Sequence, residues 1–63
     1  MTKDEAINAM QQGDKVTHRL FAGYEYIFMK DGVIFDDDNN AMPNFWVYRW
    51  SPYWEKDWSI LKK

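Results

Sequence analysis

The sequence predicts an α+β fold in which one N-terminal helix packs on a curled antiparallel sheet of four to five short strands. Three observations predict this class. An amphipathic helical pattern ends at Gly13, alternating apolar segments of strand length follow it, and a proline interrupts the aromatic final third. A chain of 63 residues has room for one core, so we expect residues 1–63 to form a single domain.

The first element is predicted to be a helix over residues 3–12. Thr2 and Glu5 have the spacing of a capping box, in which the Thr2 side chain caps the helix and the Glu5 side chain bonds back to the Thr2 backbone. Gly13 suits the left-handed residue that follows a helix. The residues on one helical face, which we expect to be buried, are Ala6, Ile7, Ala9 and Met10.

The segments that follow the helix alternate in the manner of β-strands. Residues 15–20 and 24–29 form two of them, with a turn at Ala22-Gly23 between. Asp31-Gly32 then predicts a tight hairpin with a return strand over residues 33–35, because Asp-Gly between apolar runs favours the two-residue turn. The acidic stretch 36–40 is too polar and too self-repelling to be anything but a loop.

Residues 45–50 are predicted to form a further strand that is apolar on both faces. Pro52 then begins a helical turn over residues 52–56, and residues 57–61 close the sheet. One face of the strand must cover the helix, which leaves the other face for a partner or a ligand. The two predicted faces are Trp46, Tyr48 and Trp50 on one side, and Phe45, Val47 and Arg49 on the other.

No catalytic centre, metal site or cofactor site is predicted. His18 is the only histidine, and no Ser nucleophile has a recognisable motif, so we expect His18 to be a hydrogen-bonded structural residue. The acidic loop has Ala41 and Val47 where an EF-hand requires Gly and Glu, which argues against a calcium site. We therefore expect a binding protein rather than an enzyme.

The composition also argues against nucleic acid and membranes as partners. The net charge is −2, and the eight Lys and Arg residues are scattered rather than clustered. No apolar run approaches the roughly 20 residues of a membrane span, and residues 1–12 do not resemble a signal peptide. Together with the absence of cysteine, these features predict a cytoplasmic protein.

Aromatic residues exceed what a core of this size can bury. Four Trp, four Tyr and four Phe predict a second interface, and with it a homo-oligomer. Arginine beside aromatic residues suits a phosphate-bearing small ligand and a protein interface equally well, and the residues leave both alternatives open. The candidate ligand- or partner-binding residues are Arg19, Trp46, Tyr48, Arg49 and Trp50.

Both ends of the chain resemble a family of small phage-encoded domains. The resemblance covers residues 5–10, residues 13–19 with an aromatic at Phe21, the predicted strand over residues 24–29, and the C-terminal pairs Trp50-Ser51 and Asp57-Trp58. The family includes the Thoeris anti-defence sponges, which bind a cyclic ADP-ribose-type signal and keep it from its effector. In that family a tryptophan usually stands where this chain has Phe21.

The resemblance implies a phage or prophage protein that blocks a host defence in the host cytoplasm. It would sequester a cyclic ADP-ribose-type or other nucleotide signal, in an oligomer whose subunit interfaces supply the pocket. Arg19 lies in the matching segment, whereas the other candidates are chosen on chemistry alone. Two alternatives remain, a protein-binding inhibitor of a host factor, such as an anti-CRISPR-like protein, and a structural or accessory phage protein.

Overall fold

The computed structural model describes residues 1–61 and has the predicted α+β architecture. A helix, a four-stranded antiparallel sheet in the order β3-β2-β1-β4 and two 3₁₀ turns before the last strand make up the fold, and the sheet is not strongly curled. Within the described residues, no helix is long and apolar enough to cross a membrane. The elements are α1 (Lys3–Gln11), β1 (Val16–His18), β2 (Ile27–Lys30), β3 (Val33–Asp36), a first 3₁₀ helix (Phe45–Tyr48), a second 3₁₀ helix (Pro52–Trp54) and β4 (Trp58–Ile60).

Helix α1 begins at the predicted residue and ends at Gln11, one residue before the predicted end. The Thr2 side chain accepts from the Glu5 amide at 3.2 Å, and the Glu5 carboxylate accepts from the Thr2 amide at 2.8 Å. This second bond holds the pKa of Glu5 below its ordinary value. Gly13 follows the helix with a φ of 97°, a conformation that glycine adopts without strain.

The β2–β3 hairpin confirms the Asp-Gly prediction. Asp31 and Gly32 have φ values of 53° and 78°, as a type I′ turn requires. The strands pair antiparallel, so that Phe28 and Phe35 lie opposite each other and stack on one face at 5.7 Å between ring centroids. Ile27, on the other face, is buried against α1 and the rest of the core.

The core lies between α1 and the inner face of the sheet. Strand β4 pairs with β1, which places Trp58 opposite His18 and buries both side chains. On the outer edge of β4, the Met1 amino group donates to the Trp58 carbonyl at 2.7 Å, and the Trp58 amide donates to the Met1 carbonyl at 3.1 Å. The buried apolar residues are Ala6, Ala9, Met10, Val16, Ile27, Ile34, Phe45 and Trp58.

The prediction of a strand over residues 45–50 is wrong, because this segment forms a 3₁₀ helix over Phe45–Tyr48. Its backbone bonds are local, from the Val47 amide to the Asn44 carbonyl and from the Arg49 amide to the Trp46 carbonyl. The outer edge of β3 is already occupied by residues 40–42, which bond back to Ile34 and Asp36. In a 3₁₀ helix successive side chains do not point alternately to two opposite faces, as they do in a strand. The two predicted strand faces therefore do not exist.

Candidate functional site

The structure distributes the five predicted site residues over two surfaces and the core. Arg19 follows β1 and lines an open depression of about 860 Å³. Tyr48 and Arg49 line a separate groove of about 240 Å³ beside the first 3₁₀ helix. Trp46 packs half-buried against the core, and Trp50 is exposed. Only Tyr48 and Arg49 are therefore brought together in one groove.

A cross-strand ion pair positions the Arg19 side chain. Its Nε donates to Asp57 Oδ2 at 3.1 Å, and its backbone amide donates to the Asp57 carbonyl at 3.2 Å. Asp57 has a φ of 69°, a left-handed conformation that Asp tolerates better than most residues do. Within residues 1–61, no hydrogen bond occupies either terminal amino group of Arg19, so both remain available to an oxygen ligand.

Two cationic side chains, Arg19 and Lys56, and two carboxylates, Glu5 and Asp57, line the depression. The Glu5 carboxylate is engaged by the Thr2 amide, and the Asp57 carboxylate is engaged by Arg19. The Phe21 ring forms part of the apolar surface of the depression. We define the Arg19 depression by the residues Thr17, Arg19, Phe21, Lys56, Asp57 and Ser59.

His18 lies beneath this surface as a structural residue. Its side chain is 3% exposed, and its Nδ1 accepts from the Leu20 amide at 3.1 Å. Nε2 lies 2.9 Å from the Tyr53 carbonyl and 2.8 Å from the Lys56 carbonyl. Because two carbonyls face Nε2 and a donor faces Nδ1, the hydrogen-bond pattern assigns the neutral tautomer with its proton on Nε2. His18 thereby fastens the turn over residues 53–56 to β1.

The Trp46 ring contributes to packing rather than to an exposed binding face. It meets the Phe45 ring edge-on at 4.9 Å and the Trp58 ring at 5.6 Å. The Lys3 ammonium lies 4.7 Å from its centroid, within the range of a cation–π contact. This position separates Trp46 from Tyr48 and Trp50, with which the strand prediction had grouped it.

Arg49 lies over aromatic rings and is incompletely hydrogen-bonded. Its guanidinium carbon lies 4.1 Å from the Phe45 centroid and 5.4 Å from the Trp54 centroid. Nη1 makes a long 3.4 Å bond to the Phe45 carbonyl, whereas the buried Nε has no partner within residues 1–61. Desolvation lowers the pKa of Arg49, and the negative charge of Glu25 opposes this shift.

A third feature is a run of large side chains that the fold leaves in solvent. We define the aromatic segment as Val47, Tyr48, Trp50 and Tyr53, which are 63%, 76%, 77% and 65% exposed. The two 3₁₀ helices turn Phe45, Trp46 and Trp54 towards the core, and the intervening residues consequently face outward. Trp50 is the one exposed tryptophan of the four.

Sequence reasoning did not select Phe21, Lys56 or Asp57 as site residues. Phe21 and Asp57 belong to the segments of family resemblance, and no sequence pattern indicates a binding role for Lys56. The missing information is the strand order, because only the pairing of β1 with β4 brings Asp57 beside Arg19.

No family model matches the chain, and neither the curated proteins nor the solved structures contain a match.

Proposed function

We propose that this chain is a small phage or prophage binding protein that counters a host defence by sequestering a nucleotide-like, phosphate-bearing signal. The observation that carries the proposal is the Arg19 guanidinium, which Asp57 holds through Nε while both terminal amino groups stay available. The resemblance of both chain ends to the anti-defence sponges supplies the class of ligand. A cyclic ADP-ribose-type molecule combines the two chemistries that the Arg19 depression offers.

The first of these chemistries is anion binding. A guanidinium fixed by a carboxylate presents its remaining donors in a planar fork, which matches two oxygens of a phosphate. Lys56 adds a second positive charge at the same depression. The carboxylates of Glu5 and Asp57 accept from the Thr2 amide and from Arg19 Nε, so neither occupies the terminal amino groups of Arg19.

The second chemistry is ring stacking. Phe21 is partly buried, and its ring meets the Trp58 ring edge-on at 5.7 Å, which fixes its orientation. A base or other planar group of the ligand can pack on the side of Phe21 that lines the depression. The depression is open, so a ligand would be covered fully only with help from a second molecule.

Thermal unfolding in the presence of candidate ligands tests this proposal. Cyclic ADP-ribose isomers and cyclic oligonucleotides should be compared with linear ADP-ribose and with inorganic phosphate. A ligand at 100 times its Kd stabilises the native state by about 2.7 kcal/mol, which corresponds to roughly 10–20 °C in Tm for a domain of this size. No shift with any of these compounds at millimolar concentration would refute the proposal.

A matched pair of variants localises the site. Arg19→Gln and Lys30→Gln remove one positive charge each, but Lys30 lies at the far end of β2 and lines no part of the depression. We expect Arg19→Gln to weaken binding at least tenfold and Lys30→Gln to leave it within about twofold, because charged hydrogen bonds contribute about 1.5–3 kcal/mol. Equal affinity of the two variants would exclude the Arg19 depression as the site.

The second candidate function is a protein-binding inhibitor of a host factor. The exposed aromatic segment favours it, since Trp and Tyr are the side chains that dominate protein interfaces. In that case the chain should bind one purified host protein, and Trp50→Ala should abolish binding while Tyr24→Ala, equally exposed elsewhere, retains it. Arg19→Gln would then have no effect, which separates the two functions.

A further inference from the structure

The aromatic segment has a composition that is unusual for a solvent-exposed surface. Val47, Tyr48, Trp50 and Tyr53 are all at least 63% exposed, although all four side chains are large and mainly apolar. Arg49 is the one charged residue between positions 47 and 53, and it folds back onto the Phe45 ring. The segment therefore exposes apolar groups without the neighbouring charged side chains that normally make such a surface soluble.

We infer that the aromatic segment is the contact surface between two copies of this chain. The area is sufficient for a dimer. An aromatic side chain buries about 150–250 Å², so at the observed exposures Tyr48, Trp50 and Tyr53 together offer roughly 330–550 Å², which is about half of the about 800 Å² that each partner contributes to a standard interface. Residues bordering the segment supply the remainder.

The charges of the segment favour a second copy of this chain as the partner that covers it. The whole chain has a net charge of −2, so the repulsion between two copies is weak and is smallest where they meet through a neutral surface. Between positions 47 and 53 the chain has no acidic residue, and its one cation is turned away. A symmetric dimer through this segment sets each apolar surface against an identical one, and no acidic residue between positions 47 and 53 meets its copy there.

The small core gives a second reason for self-association. The described residues bury only eight apolar side chains in one cluster, and the sequence has no cysteine to form a disulfide. Domains of this length commonly gain stability from oligomerisation when disulfides and metals are absent. Burying Tyr48, Trp50 and Tyr53 against a second copy would add three aromatic side chains to that small core.

Sedimentation velocity from about 1 to 500 μM tests the dimer, with Tyr48→Ser, Trp50→Ser and Tyr24→Ser as a matched set. Tyr48 and Tyr24 are 76% and 78% exposed, so the same substitution removes the same ring from inside and outside the segment. We expect the wild type and Tyr24→Ser to dimerise with the same Kd. Tyr48→Ser and Trp50→Ser should each weaken association at least tenfold, as hot-spot residues do.

Fluorescence quenching supplies a second readout. Because Trp50 is the exposed tryptophan, acrylamide should quench the wild type strongly at 1 μM and less at 500 μM, where dimerisation covers the ring. This comparison requires a monomer at 1 μM, and the sedimentation experiment checks that condition. A monomer throughout the concentration range overturns the inference, and so does an unchanged Kd in both Tyr48→Ser and Trp50→Ser. The inference does not rest on the proposed function, since Arg19→Gln leaves the segment intact and a ligand-free dimer satisfies it.

Discussion

Replacing His18 by Phe tests how the turn over residues 53–56 is held. His18 packs against Trp54 and Trp58, with centroid distances of 4.5 and 4.7 Å, and Phe keeps an aromatic ring at that place. What it removes is the polar part of the side chain. The carbonyls of Tyr53 and Lys56 lose their donor, and the Leu20 amide loses its acceptor.

The size of the effect follows from these three groups. An unsatisfied buried polar group costs about 1–3 kcal/mol, and since the three bonds are only partly buried, water recovers part of this cost. We expect a loss of about 2–3 kcal/mol in total. A domain of this length has a free energy of unfolding of about 3–9 kcal/mol, so His18→Phe should lower the Tm by roughly 10–20 °C.

Urea unfolding followed by circular dichroism measures this loss. Thr17→Val is the control, because Thr17 is the adjacent residue and its hydroxyl makes one exposed bond to the Glu25 carbonyl. It should cost less than about 1 kcal/mol. His18→Gln retains an amide donor, so its free energy of unfolding should lie between those of His18→Phe and the wild type. This variant separates the loss of hydrogen bonds from the poorer fit of the larger phenyl ring. A stability of His18→Phe within about 0.5 kcal/mol of the wild type would refute the reasoning.

Two further predictions concern charged side chains. The backbone amide of Asn40, its side chain and the Asp38 amide donate to Asp36 and hold its pKa below the ordinary 3.8. Because this pKa is lowered on folding, ionised Asp36 stabilises the folded state above pH 3.8. The stabilisation is lost as the pH falls through the pKa that Asp36 has in the folded protein. Asp36→Asn should therefore be less stable than the wild type at pH 7 and approach it near pH 2, as measured by urea unfolding at each pH. Arg49→Met keeps an apolar stem over Phe45 and removes the buried Nε that has no partner within residues 1–61, so its free energy of unfolding should equal or exceed that of the wild type. A loss above about 2 kcal/mol would show that the guanidinium makes a net stabilising contact.

The features that the sequence predicts correctly are those that depend on neighbouring residues. The capping box joins Thr2 to Glu5, and the hairpin turn needs only Asp31 and Gly32. In both cases a few consecutive residues determine the backbone conformation. The lone histidine is also structural, as predicted, although its bonds to residues 53 and 56 depend on the tertiary fold.

The segment 45–50 shows where such reasoning fails. Aromatic and β-branched residues favour strands because they pack well on a sheet, but a strand also requires an edge with which to pair. Residues 40–42 occupy the outer edge of β3, and Met1 occupies the outer edge of β4 at Trp58. With these positions taken, the 45–48 backbone closes its hydrogen bonds locally instead.

Which residues meet at the candidate site also depends on the order of the strands in the sheet, and the sequence does not predict that order. The sequence indicates Arg19 by its charge and by its place in the matching segment, but its orienting partner Asp57 lies 38 residues away along the chain. Trp46 was selected with Trp50, yet the 3₁₀ helix sends one ring to the core and the other to solvent. Which aromatic side chains are exposed is therefore decided by the 3₁₀ conformation, which the alternating sequence pattern does not predict.

The short turn over residues 53–56 connects the two proposed surfaces. Tyr53 belongs to the aromatic segment and Lys56 to the Arg19 depression, and His18 binds the carbonyls of both. The Trp58 indole adds a bond to the Trp54 carbonyl at 2.7 Å. These buried rings thus act as donors that hold the backbone of the turn in place. Because one anchored turn carries residues of both surfaces, loosening it at His18 should impair self-association and ligand capture together, whereas substitutions at Trp50 or Arg19 should affect one surface each.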